Sequence, residues 1–137
     1  MDLVEECFSV EENSISKLNI YSLEKICNII DINFNYSIFS KANLDLGPIE
    51  EPDDWALLKA EALGAAEYAN LPGGRSFYKE KKFLEKGIKL TFRQIPPLNY
   101  ICEGYEFIPD LSIIDVLMWN SPEKIKQCLD DHITSAE

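Results

Sequence analysis

The stretch of sequence that decides the fold is EYANLPGGRSFYKEKKFLEKGIKLTFRQ, residues 67–94. It begins with a short apolar run, passes through a proline and two glycines, and continues as a lysine-rich helical pattern that stops at Gly87. From Ile88 onward, apolar and polar residues alternate, as they do in a strand with one buried face. The stretch therefore predicts the order strand, glycine turn, helix, strand.

The glycine turn between Asn70 and Tyr78 is where this order predicts a ligand site. In parallel α/β proteins, ligands bind beyond the carboxyl ends of the strands, where a strand turns into a helix. Gly73 and Gly74 let the backbone approach a ligand closely, and the start of the next helix offers N–H groups. Arg75 adds a guanidinium fork that fits phosphate or carboxylate. The alternative is a tight turn that needs its glycines only for positive φ.

Two polar residues flank the turn and complete the predicted ligand-binding set. Asn70 hydrogen-bonds either a ligand or, more commonly at such positions, the turn backbone. Tyr78 either directs its hydroxyl into the pocket or packs half-buried in the core. The helix after the turn is predicted to begin near Ser76. Its predicted buried residues are Tyr78, Phe83 and Leu84.

The chain before this stretch predicts two helices, a strand and a third helix. Apolar residues of the first helical face are Leu3, Val4, Cys7 and Phe8. The second helix runs from Leu18 with Ser16 as its N-cap, and Asn35–Phe39 is predicted as a strand because it is rich in aromatic and β-branched residues. A loop over residues 41–52 leads to a helix capped by Asp53 and ended by Gly64. The predicted inner face of that helix is Trp55, Leu58, Ala62 and Leu63.

The chain after this stretch predicts a long loop and two helices. Pro96 and Pro97 start the loop, which runs to about residue 110. The helix of residues 112–118 begins with a capping box in which Asp115 reaches back to Ser112. The last helix opens at Pro122, and its apolar stripe is Ile125, Cys128 and Leu129.

Two acidic residues of this region are the catalytic candidates. Asp115 is either a general base or the capping partner of Ser112, and capping is the commoner role at this position. Glu106 lies with Glu103 in the long loop, where catalytic residues often lie. No paired acid at a matched spacing identifies either glutamate. The aromatic residues of that loop are expected either to stack on a sugar or to cover the edge of the core. They are Tyr100, Tyr105 and Phe107.

Helices and strands alternate along the chain, which predicts parallel strands joined by right-handed crossovers. We expect one α/β domain of residues 1–137, a three-layer, Rossmann-like half with a small, mostly parallel sheet flanked by helices. Residues 1–16 would form an acidic lead-in and residues 130–137 a short tail. The strand from Ile88 to Gln94 alternates too cleanly for a strand buried on both faces, so it is expected at a sheet edge.

Charge and composition limit the classes of partner and ligand that the sequence predicts. With 24 acidic and 13 basic residues the formal net charge is -11, which disfavours nucleic-acid partners. Residues 75–93 carry seven basic and two acidic residues, a local balance of 7 − 2 = +5, which either attracts anions or forms a solvated face. The four cysteines and one histidine do not cluster in metal-ligand spacing, so no metal site is predicted, and no cofactor is indicated. Without a signal peptide or a long apolar run, the protein is expected in the cytoplasm, with no membrane partner.

Two sequence blocks resemble a known family. The first is ALLKAEALGAAEYANLPGGRSFY, residues 56–78, and the second is FIPDLSIIDVL, residues 107–117, with Gly87 and Ile88 between them. In this order they resemble the WbqC-like family over about residues 18–129. The resemblance implies a role in surface polysaccharide (O-antigen type) biosynthesis. The protein would bind or modify an activated sugar or acyl donor, such as a nucleotide-sugar or another phosphorylated small molecule, in a transferase-like reaction.

One departure from the family suggests an alternative function. Members usually begin with a strand and a Q-P-x-x-F/Y-P-like turn, which this chain lacks, so it resembles about the C-terminal half of a member. The alternative is therefore a truncated, non-catalytic partner domain. Such a domain would dock a separate N-terminal half, or self-associate, through the open sheet edge beside Ile88–Gln94.

Overall fold

The computed structural model of the chain describes residues 3–94 and 98–135. The chain is a small α/β protein that, within those residues, combines six α-helices with one two-stranded parallel sheet. The α/β class and the parallel sheet predicted from the sequence are therefore confirmed. The helices are α1 Leu3–Phe8, α2 Ile15–Ile29, α3 Asp54–Ala62, α4 Glu80–Glu85, α5 Ile113–Trp119 and α6 Pro122–Ser135. Pro96 and Pro97, predicted to start the long loop, lie outside the described residues.

The sheet is formed by the two strands of the deciding stretch. Strand β1 spans Glu67–Asn70, as predicted, and strand β2 spans Lys89–Phe92. The strands are parallel, with Glu67 opposite Lys89 at the start and Asn70 opposite Phe92 at the end. Both carboxyl ends consequently lie at the same edge of the sheet.

The connection between the strands differs from the predicted single helix. A short 3-10 helix, Pro72–Phe77, follows β1, and α4 begins only at Glu80. The predicted start near Ser76 is wrong because Tyr78 and Lys79 are extended. The Lys79 N–H donates to the carboxylate of Asp53, which lies 26 residues earlier in the chain, at 3.0 Å. This hydrogen bond keeps Lys79 out of the helix.

The chain forms two compact units, residues 37–95 and residues 1–36 with 96–137. The core of the unit that contains the sheet is small. Its buried residues are Ala56, Leu57, Ala60, Phe83 and Ile88. The single domain of residues 1–137 stays a prediction.

The face by which α3 enters that core was predicted wrongly. Its buried residues are Ala56, Leu57 and Ala60, while Trp55 is 47% exposed and Leu63 is 63% exposed. The Trp55 ring packs edge-on against Phe39 outside the core, at 5.7 Å between centroids. Leu84, also predicted as core, is 75% exposed, because α4 is only six residues long and buries a single residue, Phe83.

In the other unit, α1 packs against α2 and α5 packs against α6. The predicted helices all form, although α2 begins at Ile15, three residues before the predicted Leu18, with Ser14 instead of Ser16 at its N-cap position. Ser112 caps α5 by accepting the Ile114 N–H at 3.3 Å. Helix α6 starts at Pro122, as predicted, and it reaches residue 135, so most of the expected tail is helical.

The strand predicted at Asn35–Phe39 is absent from the structure. Residues 33–38 are irregular, and Phe39–Lys41 form a 3-10 helix. The segment is rich in aromatic residues, as a strand often is, but a strand also needs a neighbouring strand to complete its hydrogen bonds. Among the described residues, no strand pairs with this segment. Phe34 and Tyr36 stack on each other instead, at 5.2 Å between ring centroids.

Among the described residues, no helix combines the length and the apolar composition needed to cross a membrane.

Candidate functional site

The strand ends bring Arg75 over the carboxyl edge of the sheet. Asn70 ends β1 directly opposite Phe92, which ends β2. The 3-10 helix begins two residues after Asn70 and carries Arg75, whose guanidinium carbon lies 4.8 Å from the centre of the Phe92 ring. Arg75 is exposed to solvent. The segment therefore presents a cation, held against an aromatic ring, where the sequence predicts the anion site.

Arg75, like Lys89 and unlike the other basic residues of the stretch, has no carboxylate partner among the described residues. Most of the other cations between residues 75 and 93 form ion pairs, which neutralise much of the local positive charge. These pairs are Lys79–Glu51, Lys81–Glu85, Lys82–Glu51, Lys82–Asp53, Lys82–Asp54, Lys86–Glu61 and Arg93–Glu67. Among the residues that the structure describes, no acidic side chain pairs with Arg75. Its charge is consequently available to a ligand.

An aromatic cluster lies beneath this position. The Tyr78 ring is 5.9 Å from Phe92, 5.8 Å from Tyr68 and 6.1 Å from Phe83, measured between centroids. Tyr78 is half-buried, which is the core alternative considered for it, and its hydroxyl is nevertheless engaged in a polar network. The cluster gives Arg75 a rigid apolar base.

The polar network joins Asn70 to two tyrosines. The Asn70 side-chain amide donates to the Tyr78 hydroxyl at 2.5 Å, and its oxygen accepts the Leu71 N–H at 2.8 Å. The Tyr78 and Tyr68 hydroxyls are 3.4 Å apart. Burial, with a smaller effect of the Tyr78 hydroxyl, raises the pKa of Tyr68 to about 12. Asn70 thus bonds the turn backbone, the commoner of its two predicted roles, and also holds Tyr78 in place.

The conformation of the turn does not require a positive φ at either Gly73 or Gly74. Neither Gly73 nor Gly74 has a positive φ, so that alternative is wrong. A Cβ on Gly74 would lie 3.3 Å from the Tyr78 ring and 3.5 Å from the Asn70 amide, whereas a Cβ on Gly73 would meet no atom within 4 Å. Gly74 therefore allows Tyr78 and Asn70 to pack under the turn, and Gly73 leaves the backbone open to solvent.

A groove of about 600 Å³ in the same unit lies away from residues 72–78, here called the glycine segment. It borders the amino-terminal half of β2, where its lining includes Leu84, Ile88 and Leu90. The glycine segment does not line this groove, so the proposed anion contact is a surface contact of Arg75.

Sequence reasoning missed a cluster of charges at the start of α3. The ammonium group of Lys82 lies 3.0 Å from Asp53, 2.7 Å from Asp54, and also contacts Glu51. These three carboxylates lie within 4.8 Å of one another, a spacing that suits a cation, and Lys82 supplies it. Asp53 is 1% exposed and sits at the N-cap position, but its carboxylate bonds Lys79 and Lys82 rather than its own helix.

The ion pairs of this cluster shift its acid–base equilibria. The Lys82 hydrogen bond, with the N–H groups of Glu51 and Glu50, lowers the pKa of Asp54 to about 2. Lys79 and Lys82 lower the pKa of Glu51, and the carboxylates raise the pKa of Lys82. A signal in the sequence was available, because an E-P-D-D run precedes α3 and lysines recur three residues apart at its partner helix.

The two catalytic candidates lie in the other unit. Asp115, half-buried on α5, accepts a hydrogen bond from the Tyr100 hydroxyl at 2.5 Å, and this bond raises the pKa of Tyr100 to about 12. The predicted capping role belongs to the Ser112 side chain alone. Glu106 is exposed, and Tyr100 packs edge-on against Phe107 at 5.0 Å.

The strand, glycine segment, helix and parallel strand define a small α/β protein with its distinctive residues at the carboxyl edge of the sheet. The chain matches the model of the WbqC-like protein family over residues 1–127 and belongs to that family. The match begins before the region of resemblance expected from residue 18 and includes α1. Neither the comparison with curated proteins nor that with solved structures gives a match.

Proposed function

We propose that the protein binds a phosphorylated small molecule, of the nucleotide-sugar or acyl-donor type, through Arg75 at the carboxyl edge of the sheet. The observation that supports this is the exposed guanidinium, which packs on Phe92 and has no acidic partner among the described residues. An arginine held by an aromatic ring loses little conformational freedom when it binds phosphate, and its fork donates two parallel hydrogen bonds.

The polysaccharide setting of this proposal comes from the family resemblance. An activated sugar carries a diphosphate, which is the anion that a guanidinium fork recognises. A cytoplasmic protein of surface polysaccharide biosynthesis would meet such compounds. We assign no reaction and no catalytic residue to the site, and a transferase activity would require groups beyond Arg75.

The first experiment is a thermal-shift screen across UDP-sugars, dTDP-sugars and acyl-coenzyme A compounds. A compound that raises the melting temperature is then titrated calorimetrically into the wild-type protein and the Arg75→Ala variant. Because a charge-assisted hydrogen bond contributes about 1.5–3 kcal/mol, we expect the variant to bind about 10-fold to 100-fold more weakly. Its melting temperature should change little, since Arg75 is exposed.

Lys89→Ala is the matched control. Lys89 is also exposed and basic, but it begins β2 at the opposite end of the strands. This variant should bind as the wild type does. Equal affinity in wild-type protein and Arg75→Ala, or an equal loss in both variants, would contradict the proposed site.

A second candidate function, an interaction domain, is favoured by the sheet itself. Within the described residues the sheet has only two strands, so each strand has an outer edge without a strand neighbour. Such edges are templates for pairing with another chain.

A further inference from the structure

The outer edge of β2 carries free backbone groups. Lys89 donates its N–H to Ala66 at 2.9 Å and Arg93 donates to Asn70 at 2.8 Å, so every second residue faces β1. Leu90 and Phe92 therefore direct their N–H and C=O groups away from β1. In the part of the chain that the structure describes, no backbone partner is found for them.

A second stretch of backbone, outside any helix or strand, is also unpaired. Residues 32–38, here called the linker segment, read I-N-F-N-Y-S-I, with apolar and polar residues in strict alternation. Phe34 and Tyr36 stack on each other although they are two residues apart, which places their side chains on the same side, as in a strand. The backbone groups of residues 33–37 have no hydrogen-bond partner among the described residues.

The linker segment is held at both ends. At its start the Ile32 N–H donates to the Cys27 carbonyl at 2.8 Å, which attaches it to the end of α2. After its end, the Phe39 ring packs against Trp55, and the Lys59 ammonium lies 5.5 Å from the centre of the Phe39 ring. The segment is therefore anchored at both ends, while the backbone between them has no hydrogen-bond partner among the described residues.

The surface beside β2 suits this segment. The groove of about 600 Å³ has an apolar floor that includes Leu84, Ile88 and Leu90, and Leu84 is 75% exposed. An added strand would cover that floor with alternate apolar side chains. Glu80, Lys81 and Lys89 border the groove, and residues 32–38 carry no charge, so no like charges meet in the pairing. The alternating pattern of the segment therefore fits this surface.

We propose that the protein forms a dimer in which the linker segment of each copy pairs with the outer edge of β2 in the other copy. The arrangement is reciprocal, so a two-fold axis closes the assembly and the sheet of each copy gains a third strand. This inference extends the second candidate function and does not depend on the Arg75 site.

Sedimentation velocity over a range of concentrations tests the proposal, on wild-type protein and on a chain with Asn35→Pro and Tyr36→Pro together. Successive N–H groups of an extended segment point to opposite sides, so the pair of prolines removes a donor on each side. We expect a wild-type dimer, and a dissociation constant at least about tenfold higher in the double variant, since one lost hydrogen bond is worth about that factor.

The matched control combines Asp45→Pro and Leu46→Pro, which lie in the irregular residues 43–50. Far-UV circular dichroism should show the same helix content in all three proteins, and the control should dimerise as the wild type does. A wild-type monomer at every concentration, or a dimer that the linker-segment prolines weaken no more than the control prolines do, would overturn the proposal. Arg75→Ala should leave the dimer unchanged, so the two proposals fail separately.

Discussion

At the scale of single residues, adjacent glycines in one segment have different surroundings. A Cβ on Gly74 would press on the Tyr78 ring, and a Cβ on Gly73 would meet no neighbouring atom within 4 Å. Both residues have φ values that other amino acids adopt. Gly74 is therefore explained by packing, whereas nothing within the described residues requires glycine at position 73.

We predict opposite effects of alanine at these positions. Gly74→Ala should lower the free energy of unfolding by about 1 kcal/mol or more, because Tyr78 or Asn70 must move. Gly73→Ala should leave it unchanged or raise it by up to about 1 kcal/mol, because alanine restricts the unfolded chain. Urea denaturation of the two variants measures the difference. Equal destabilisation by both would contradict the packing described for the segment.

Lys82 is the residue whose removal should matter most among the lysines of α4. Lys82→Met would leave the buried Asp53 and its two acidic neighbours without their shared cation. Losing one partner of a buried ion pair costs about 3–5 kcal/mol, and the partial exposure of Lys82 reduces this to about 2 kcal/mol.

Lys81→Met is the control on the same helix. The Lys81 side chain is 87% exposed and its ion pair with Glu85 spans 3.8 Å, so the free energy of unfolding should change by less than about 0.5 kcal/mol. Chemical denaturation of both variants makes the comparison. Similar stability of the Lys82 and Lys81 variants would show that the cluster does not hold α4 to the start of α3.

At the scale of the elements, this cluster predicts how stability depends on acidity. The folded-state pKa of Asp54 is about 2, below its ordinary value of 3.8, and the pKa of Glu51 is also lowered. A depressed carboxyl pKa stabilises the fold above the unfolded-state value, and that stabilisation is lost as the pH falls toward the folded-state value.

The expected loss of stability therefore falls between about pH 4 and pH 2. Urea denaturation across this range should show a steeper decline for wild-type protein than for Lys82→Met, in which the main cause of the Asp54 shift is gone. Parallel curves for the two proteins would contradict the assignment.

The elements also show which structural features could be predicted from the sequence. The bounds of β1, the glycine that ends α4 and the proline that starts α6 follow from local patterns, and each was predicted correctly. The start of α4 was predicted wrongly, because it depends on the hydrogen bond between Lys79 and Asp53, which are distant in sequence.

Two further differences have the same origin in tertiary contacts. The linker segment has the alternation of a strand, yet a strand forms only where a neighbour completes its hydrogen bonds. For α3, Trp55 and Leu63 were expected inside, but the buried residues are Ala56, Leu57 and Ala60, and Trp55 packs on Phe39 instead. Of the predicted ligand-binding residues, Arg75, Tyr78 and Asn70 do lie together at the sheet edge; whether they bind a ligand remains a prediction.

At the scale of the whole molecule, a negative net charge is combined with ion pairs that leave few basic residues unpaired near the glycine segment. The chain has a formal net charge of -11, and most of the basic residues after the glycine segment are paired with acidic ones. Arg75 keeps an exposed guanidinium in this acidic setting, and it is the cation that we propose binds a phosphate group.

The most direct test of the central claim is a nuclear magnetic resonance titration of isotope-labelled protein with the nucleotide-sugar that the thermal-shift screen selects. We predict that the backbone signals that move are those of the glycine segment, from Gly73 to Tyr78, together with Asn70 and Phe92. The same titration of Arg75→Ala should move them far less. Shifts confined to the groove beside Leu84 and Ile88, or no shift in the glycine segment at saturating ligand, would contradict the account.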